Sequence, residues 1–186
     1  LSLLGTFAVL PVFLAIPFHD ALGTTSFLNA YMEMVSAITT TGAPVFEDPG
    51  RLIASLHLWR AQVGWMGGLL MWIAASAILA PLHLGGFEVT SQAEPGNPDE
   101  RRSNMGQIDP RQRLLRSAAA LTPTYLALTL MLWLLLLANG DRSLVALCHA
   151  MSVLATSGIS PLGGTHDTGV GFGAEAMMML FMLFAL

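Results

Sequence analysis

Hydrophobic residues along this chain gather in four long runs, and the stretches between them are only partly polar. Leu1–Phe18, Gln62–Leu84 and Ser117–Ala138 each predict an apolar helix, and Ala176–Leu186 predicts the start of a fourth. Leu1–Phe18 is close to the shortest segment that crosses about 30 Å of hydrocarbon, and Pro11 interrupts it. Gln62–Leu84 carries Gly64, Gly67 and Gly68 near its start, small residues that let helices approach closely. Ser117–Ala138 closes on Asn139-Gly140, a helix stop. The intervening segments Asp20–Arg60 and Asp141–Glu175 are too long for tight turns and too apolar, in part, for plain loops. Each holds a short helical pattern, Ser26–Ile38 and Ser143–Leu154, with Ser26 and Ser143 placed to cap it. Twelve or thirteen residues suit a re-entrant segment rather than a span.

A short hydroxyl-rich strip follows each of these helices, and the two strips match. Setting Gly42 on Gly158, 116 residues later, sets Ser36 on Ser152, Thr40 on Thr156, Thr41 on Ser157 and Ile38 on Leu154. The chain therefore reads as span, short helix, strip, span, linker, and then the same again. Parallel repeats of this kind pack around an axis along the membrane normal. Non-helical backbone at membrane depth is tolerated only where it is buried in protein or lines a watery cavity. Backbone carbonyls there can replace the water shell of a monovalent cation without a fixed charge that would trap it. Thr39–Ala43 has this make-up in full and Ala155–Ser160 less fully, with the glycine retained.

Composition agrees with a bilayer setting. The chain is 54% hydrophobic and 11% charged, with a mean hydropathy of +0.63, against about 25% charged residues in soluble domains. All eight basic residues are arginine, so no basic nucleic-acid face is present. Cys148 is the single cysteine and excludes an internal disulfide. Five of the arginines (Arg101, Arg102, Arg111, Arg113 and Arg116) lie in the soluble stretch 86–116, which marks it as a cytoplasmic linker. Both re-entrant segments then dip in from outside. The expected organisation is a first span–pore-loop–span unit over 1–85, the linker 86–116, and a second unit over 117–186. Both ends of the sequence fall inside apolar runs, which predicts a piece of a longer membrane protein.

Several further motifs resemble one family. Thr39-Thr40-Thr41-Gly42-Ala43, Leu58-Trp59-Arg60 leading into Gly64-Trp65-Met66-Gly67-Gly68, and Ile78-Leu79-Ala80-Pro81-Leu82 with Gly85-Gly86 occur in order. Ala93-Glu94-Pro95-Gly96, Leu147-Cys148-His149-Ala150 and Ala155-Thr156-Ser157-Gly158 complete the series. Over essentially its whole length the chain resembles the pore subunit of the Trk/Ktr/HKT superfamily of potassium transporters, most closely the TrkH-like branch. The resemblance implies an all-α membrane protein of tandem span–re-entrant pore helix–span repeats, potassium-channel-like in plan. It implies four such repeats around one pore, of which this sequence holds the first two. By the same resemblance Thr40, Thr41, Gly42 and Ala43 form one potassium-binding filter strand, and Thr156, Ser157, Gly158 and Ile159 a second. Glycine at 42 then favours potassium, since serine there accompanies sodium preference in the plant branch. A sodium or mixed monovalent-cation transporter of the same family is the alternative. The family further implies multi-pass residence in the bacterial plasma membrane among lipids, a homodimer, a cytosolic nucleotide-binding regulatory subunit, and K⁺ as cargo with no cofactor.

Other residues are weighed individually. Arg60 either supports the filter through hydrogen bonds or snorkels to headgroups. Glu33, at the position equivalent to His149, is expensive as a charge at depth and is expected to be paired. Cys148-His149 lacks the spacing of a metal site. His57 and His83 are expected at the interfaces, and Asp141 and Asp167 as solvated loop charges. An intramembrane serine protease with Ser157 as nucleophile and His149 as base is the enzymatic rival. It lacks the nucleophile-elbow context and leaves the duplication unexplained.

Overall fold

The computed structural model describes residues 2–46, 48–79, 110–162 and 172–185, and the described secondary structure is helical. The helices are α1 (Ser2–Leu22), α2 (Phe27–Ile38), α3 (Ala54–Leu79), α4 (Pro110–Ala138), α5 (Ser143–Leu154) and α6 (Phe172–Ala185), with a 3₁₀ turn at Pro49–Arg51. His83, Asp167 and most of the linker 86–116 lie outside the described residues.

The spans are longer than the apolar runs suggest. α1 runs through Pro11 and Pro17 without a break, where a proline normally loosens the turn before it. Tyr31 Oη donates to the Ala8 carbonyl (3.1 Å), three residues before Pro11. Trp59 Nε1 donates to the Leu14 carbonyl (3.3 Å), three residues before Pro17. Pro11 and Pro17 leave the Phe7 and Phe13 carbonyls without their helical donors, and each side-chain bond reaches the next carbonyl along. α4 begins at Pro110 rather than Ser117, so the arginines at 111, 113 and 116 belong to a helix and not to a loop. At 21, 26 and 29 residues, α1, α3 and α4 are roughly 32, 39 and 44 Å long at 1.5 Å per residue. α2 and α5, with 12 residues each, reach only about 18 Å. Two segments combine the length and hydropathy of a membrane span, Gly5–Leu22 and Leu114–Ala138. Phe13, Ile16, Leu115, Leu130 and Leu134 are exposed on them, an apolar outer surface unlike that of a soluble monomer.

The described chain forms two compact units, one from 1–69 with 125–186 and the other from 70–124. Within the second, Ser76 and Ser117 share a hydroxyl–hydroxyl bond of 3.2 Å. Within the first, α2 packs along α1, and α5 against α6. Its core gathers Ala15, Phe18, Met34, Ile38, Leu56, Val63 and Ile159. Trp65 and Tyr125 pack with ring centroids 5.1 Å apart. Trp65 Nε1 donates to Thr129 Oγ1 (2.9 Å), and Tyr125 Oη donates to the Trp65 carbonyl (3.3 Å).

Ser26 caps α2 as expected, its hydroxyl accepting from the Asn29 N–H (3.3 Å). Ser143 does not cap α5. Arg142 holds the N-cap position without a side-chain bond, and the Ser143 carbonyl accepts from Trp133 Nε1 (3.2 Å).

Candidate functional site

α2 and α5 end in the same way. A left-handed residue commonly closes a helix, and it is usually glycine. Here it is threonine both times, Thr40 with φ 56° and Thr156 with φ 51°. The Thr40 N–H returns to the Ala37 carbonyl and the Thr41 N–H to the Ser36 carbonyl, each at 3.0 Å. The Thr156 N–H likewise returns to Val153 (3.1 Å) and the Ser157 N–H to Ser152 (3.0 Å). This is the paired bonding of a Schellman turn, built twice at equivalent residues. A β-branched residue is strained in that region, by about 1–2 kcal/mol, and such strain persists where the surroundings hold it.

Two residues on, Gly42 and Gly158 are left-handed again, both with φ 67°, while Thr41 and Ser157 between them are not. Alternating handedness turns successive N–H groups to one side of the backbone and carbonyls to the other. The Gly42 N–H indeed joins that of Thr41 at the Ser36 carbonyl (3.4 Å). Among the described residues no hydrogen bond reaches the carbonyls of Thr40, Thr41, Gly42, Thr156, Ser157 or Gly158. The two strips also touch, because a Cβ placed on Gly42 would collide with the Ser157 carbonyl.

Each strip then doubles back along its own helix and is held at matching helix positions. Ser36 Oγ donates to the Ala43 carbonyl (2.8 Å), and Glu33 Oε2 accepts from the Val45 N–H (2.8 Å). On the second strip Ser152 Oγ meets Ser157 Oγ (3.2 Å), and His149 Nε2 meets Ser160 Oγ (3.1 Å). The other oxygen of Glu33 pairs with Arg60 Nε at 2.6 Å. Glu33 and Arg60 are only 2% and 5% exposed, so Arg60 does not snorkel. A buried charge of this kind persists because it is paired.

The glycines of α3 meet the roots of the strips, and Gly68 also meets Tyr125 of α4. A Cβ on Gly67 would enter the Ile38 carbonyl at the end of α2. One on Gly68 would lie 2.9 Å from Ala155 Cα and 2.8 Å from Tyr125 Oη. Gly64 faces Ile159, the Ala37 carbonyl and Ser157 Oγ at 3.2–3.4 Å.

The structure places several of the residues weighed individually. Ser157 and His149 do not form a nucleophile–base pair, since each bonds to a different serine, Ser152 and Ser160. His57 is buried, with Nε2 donating to the Pro49 carbonyl at 3.1 Å. Asp141 is not a solvated loop charge but is 7% exposed. Burial pushes its carboxyl above the usual value of 3.8, and the nearby His149 partly offsets this.

The sequence matches no family model. It is 31% identical over 179 residues to the Trk system potassium uptake protein TrkI of Halomonas elongata, covering 96% of this chain and 32% of that one. It is 30% identical over 147 residues to TrkG of Escherichia coli, covering 79% of this chain and 28% of the relative. The crystal structure of the potassium transporter TrkH from Vibrio parahaemolyticus superposes with a TM-score of 0.74 at 26% identity, over 96% of this chain and 33% of that one. This chain belongs to the Trk family. It spans about a third of the length of the curated relatives it matches. The Trk chain is accordingly an integral membrane protein, and the apolar helices α1 and α4 agree with this.

The structure brings Thr40, Thr41, Gly42, Thr156, Ser157 and Gly158 of this Trk chain into one region, with Ala43 tied to Ser36 and Ile159 buried in the core. Sequence reasoning centred on the glycines and missed the left-handed threonines. It also missed the tethers from Ser36, Ser152 and His149 to the strips. The 116-residue offset that pairs 33 with 149 and 36 with 152 was the signal that finds them.

Proposed function

We propose that the two strips are filter strands of a potassium pore, and that this chain contributes them to K⁺ uptake across the membrane. The observation that carries the reading is the matched run of unbonded carbonyls at Thr40–Gly42 and Thr156–Gly158, set by alternating handedness and brought into contact at Gly42 and Ser157. Such oxygens bind a dehydrated monovalent cation by dipole and leave it free to move on. In this reading α2 and α5 are re-entrant pore helices, and residues 1–85 and 117–186 are two repeats joined by a cytoplasmic linker at 86–116. Ala43 and Ile159 complete the strands. Glu33 and Arg60 support the first strand, because one carboxylate ties the buried guanidinium to the backbone that leaves the strip. K⁺ is the cargo, and the chemistry requires no cofactor. The names of the relatives, potassium uptake proteins, support the choice of ion. The family resemblance extends the proposal to a homodimer served by a cytosolic nucleotide-binding subunit.

The test places the full chain in cells that lack their own K⁺ uptake and compares it with Gly42→Ser. The wild type restores growth on low K⁺, and the variant loses K⁺ preference over Na⁺. Failure of the wild type to restore growth sinks the transport reading. An unchanged K⁺/Na⁺ ratio in the variant sinks the filter assignment.

A further inference from the structure

Each strip is held by two residues one helical turn apart on its own helix, Glu33 and Ser36 on the first, His149 and Ser152 on the second. The two holds differ in chemistry. Glu33 grips with both oxygens and is neutralised by Arg60. Among the described residues His149 has one tether, from Nε2 to the Ser160 hydroxyl, which in turn accepts from the Leu162 N–H (3.2 Å). The His149 side chain is buried, 3% exposed, and its Nδ1 has no partner among the described residues.

The surroundings differ as well. Gly42 is packed against the Ser157 carbonyl, whereas nothing described lies within 4 Å of the place a Cβ on Gly158 would take. Behind the second strip is a cavity of about 280 Å³ lined by His149, Ser152, Gly158, Ile159, Ser160 and Met178. A backbone segment with a void on one side is not fixed by packing alone. Its hydrogen bonds share with the buried Ile159 in deciding where it lies.

We infer that His149 is a positioning residue: by holding Ser160 it fixes the end of the second strip and so the direction of the Ser157, Gly158 and Ile159 carbonyls. The residue acts through Ser160 and touches no ion itself. This inference rests on reading Thr156–Ile159 as a filter strand. It makes the second strip the more adjustable of the two, and makes ion preference sensitive to one imidazole–hydroxyl bond.

The test uses the full chain in K⁺-uptake-deficient cells, with KM and Vmax measured for K⁺ and for Na⁺. The variants are H149A, H149Q, S160A, the H149A/S160A double variant, and G42S as a filter control. Loss of one hydrogen bond that orients the strand is expected to lower K⁺ preference about fivefold, the weight of one typical bond. The change should lie in KM rather than Vmax. S160A, which also loses the bond from the Leu162 N–H, should cost at least as much as H149A, and the double variant should be no worse than S160A, because the two side chains share one interaction. H149Q, which keeps a polar group in reach of Ser160, should recover most of the loss. Additive effects, no rescue by glutamine, or lower expression with an unchanged ion ratio each overturn the inference. If G42S shifts preference while H149A and S160A do not, the positioning role falls and the filter reading stands. If none of them shifts it, both fall.

Discussion

Gly42 and Gly158 occupy equivalent places in the sequence and have the same φ of 67°, yet alanine should cost very different amounts at the two. Left-handed backbone costs a non-glycine residue about 1–2 kcal/mol, and this applies equally to both. At Gly158 that is the whole penalty, because the new methyl group meets nothing described within 4 Å. At Gly42 the methyl group would occupy the space of the Ser157 carbonyl, a backbone atom that cannot rotate away. Overpacking of this kind adds about 1–3 kcal/mol, so Gly42→Ala should cost roughly 2–5 kcal/mol in total. Thermal unfolding of the purified full chain in detergent, with each alanine variant beside the wild type, measures the difference directly. Ion uptake gives a second readout, since displacing Ser157 moves a proposed ligand of the other strip. Gly42→Ala should therefore depress both stability and K⁺ preference more than Gly158→Ala does. Equal losses, or a larger one at Gly158, would refute the claim that the strips meet at Gly42 and Ser157.

Glu33→Ala leaves Arg60 buried without its counter-charge and should cost about 3–5 kcal/mol. Arg60→Met added to it should recover part of the loss, which the same unfolding assay reads. Thr156→Gly relieves the left-handed strain at φ 51° and should raise stability by about 1 kcal/mol or less, once the entropy of glycine is subtracted. K⁺ preference should fall in that variant, as the strip loosens. Asp141 has its folded carboxyl pKa raised by burial above 3.8. The folded state then binds more protons than the unfolded one in the interval just above 3.8, so stability falls as pH rises through it. Asp141→Asn should remove that slope, and unfolding curves taken across the acidic range check it.

The sequence disclosed the long helices and the short helix before each glycine strip because both rest on local pattern. Long apolar runs and a glycine recurring after a short helix need no knowledge of distant contacts. Helix ends were less legible. The arginines at 111, 113 and 116 looked like linker, yet a helix can continue past the hydrocarbon edge on charged residues, and α4 starts at Pro110. Pro11 looked like a break because its missing donor was visible, while the Tyr31 hydroxyl that bonds the Ala8 carbonyl in the same turn lies 23 residues from Ala8 in the chain. At the strips, the glycines stood out by residue type. The strain at Thr40 and Thr156 did not, since threonine is ordinarily a poor choice for a left-handed position. Burial of Asp141 arises from tertiary packing and left no trace in a segment that reads as loop.

Gly67 and Gly68, side by side on α3, receive the ends of α2 and α5 respectively. A helix from the first copy of the duplicated pattern is thus the floor on which both copies rest. The two copies remain alike in letters but are no longer interchangeable parts. A bulkier residue at 67 or 68 would disturb the common seat of both strips. A pair of neighbouring glycines on one helix has made two matched segments into a single mechanical unit.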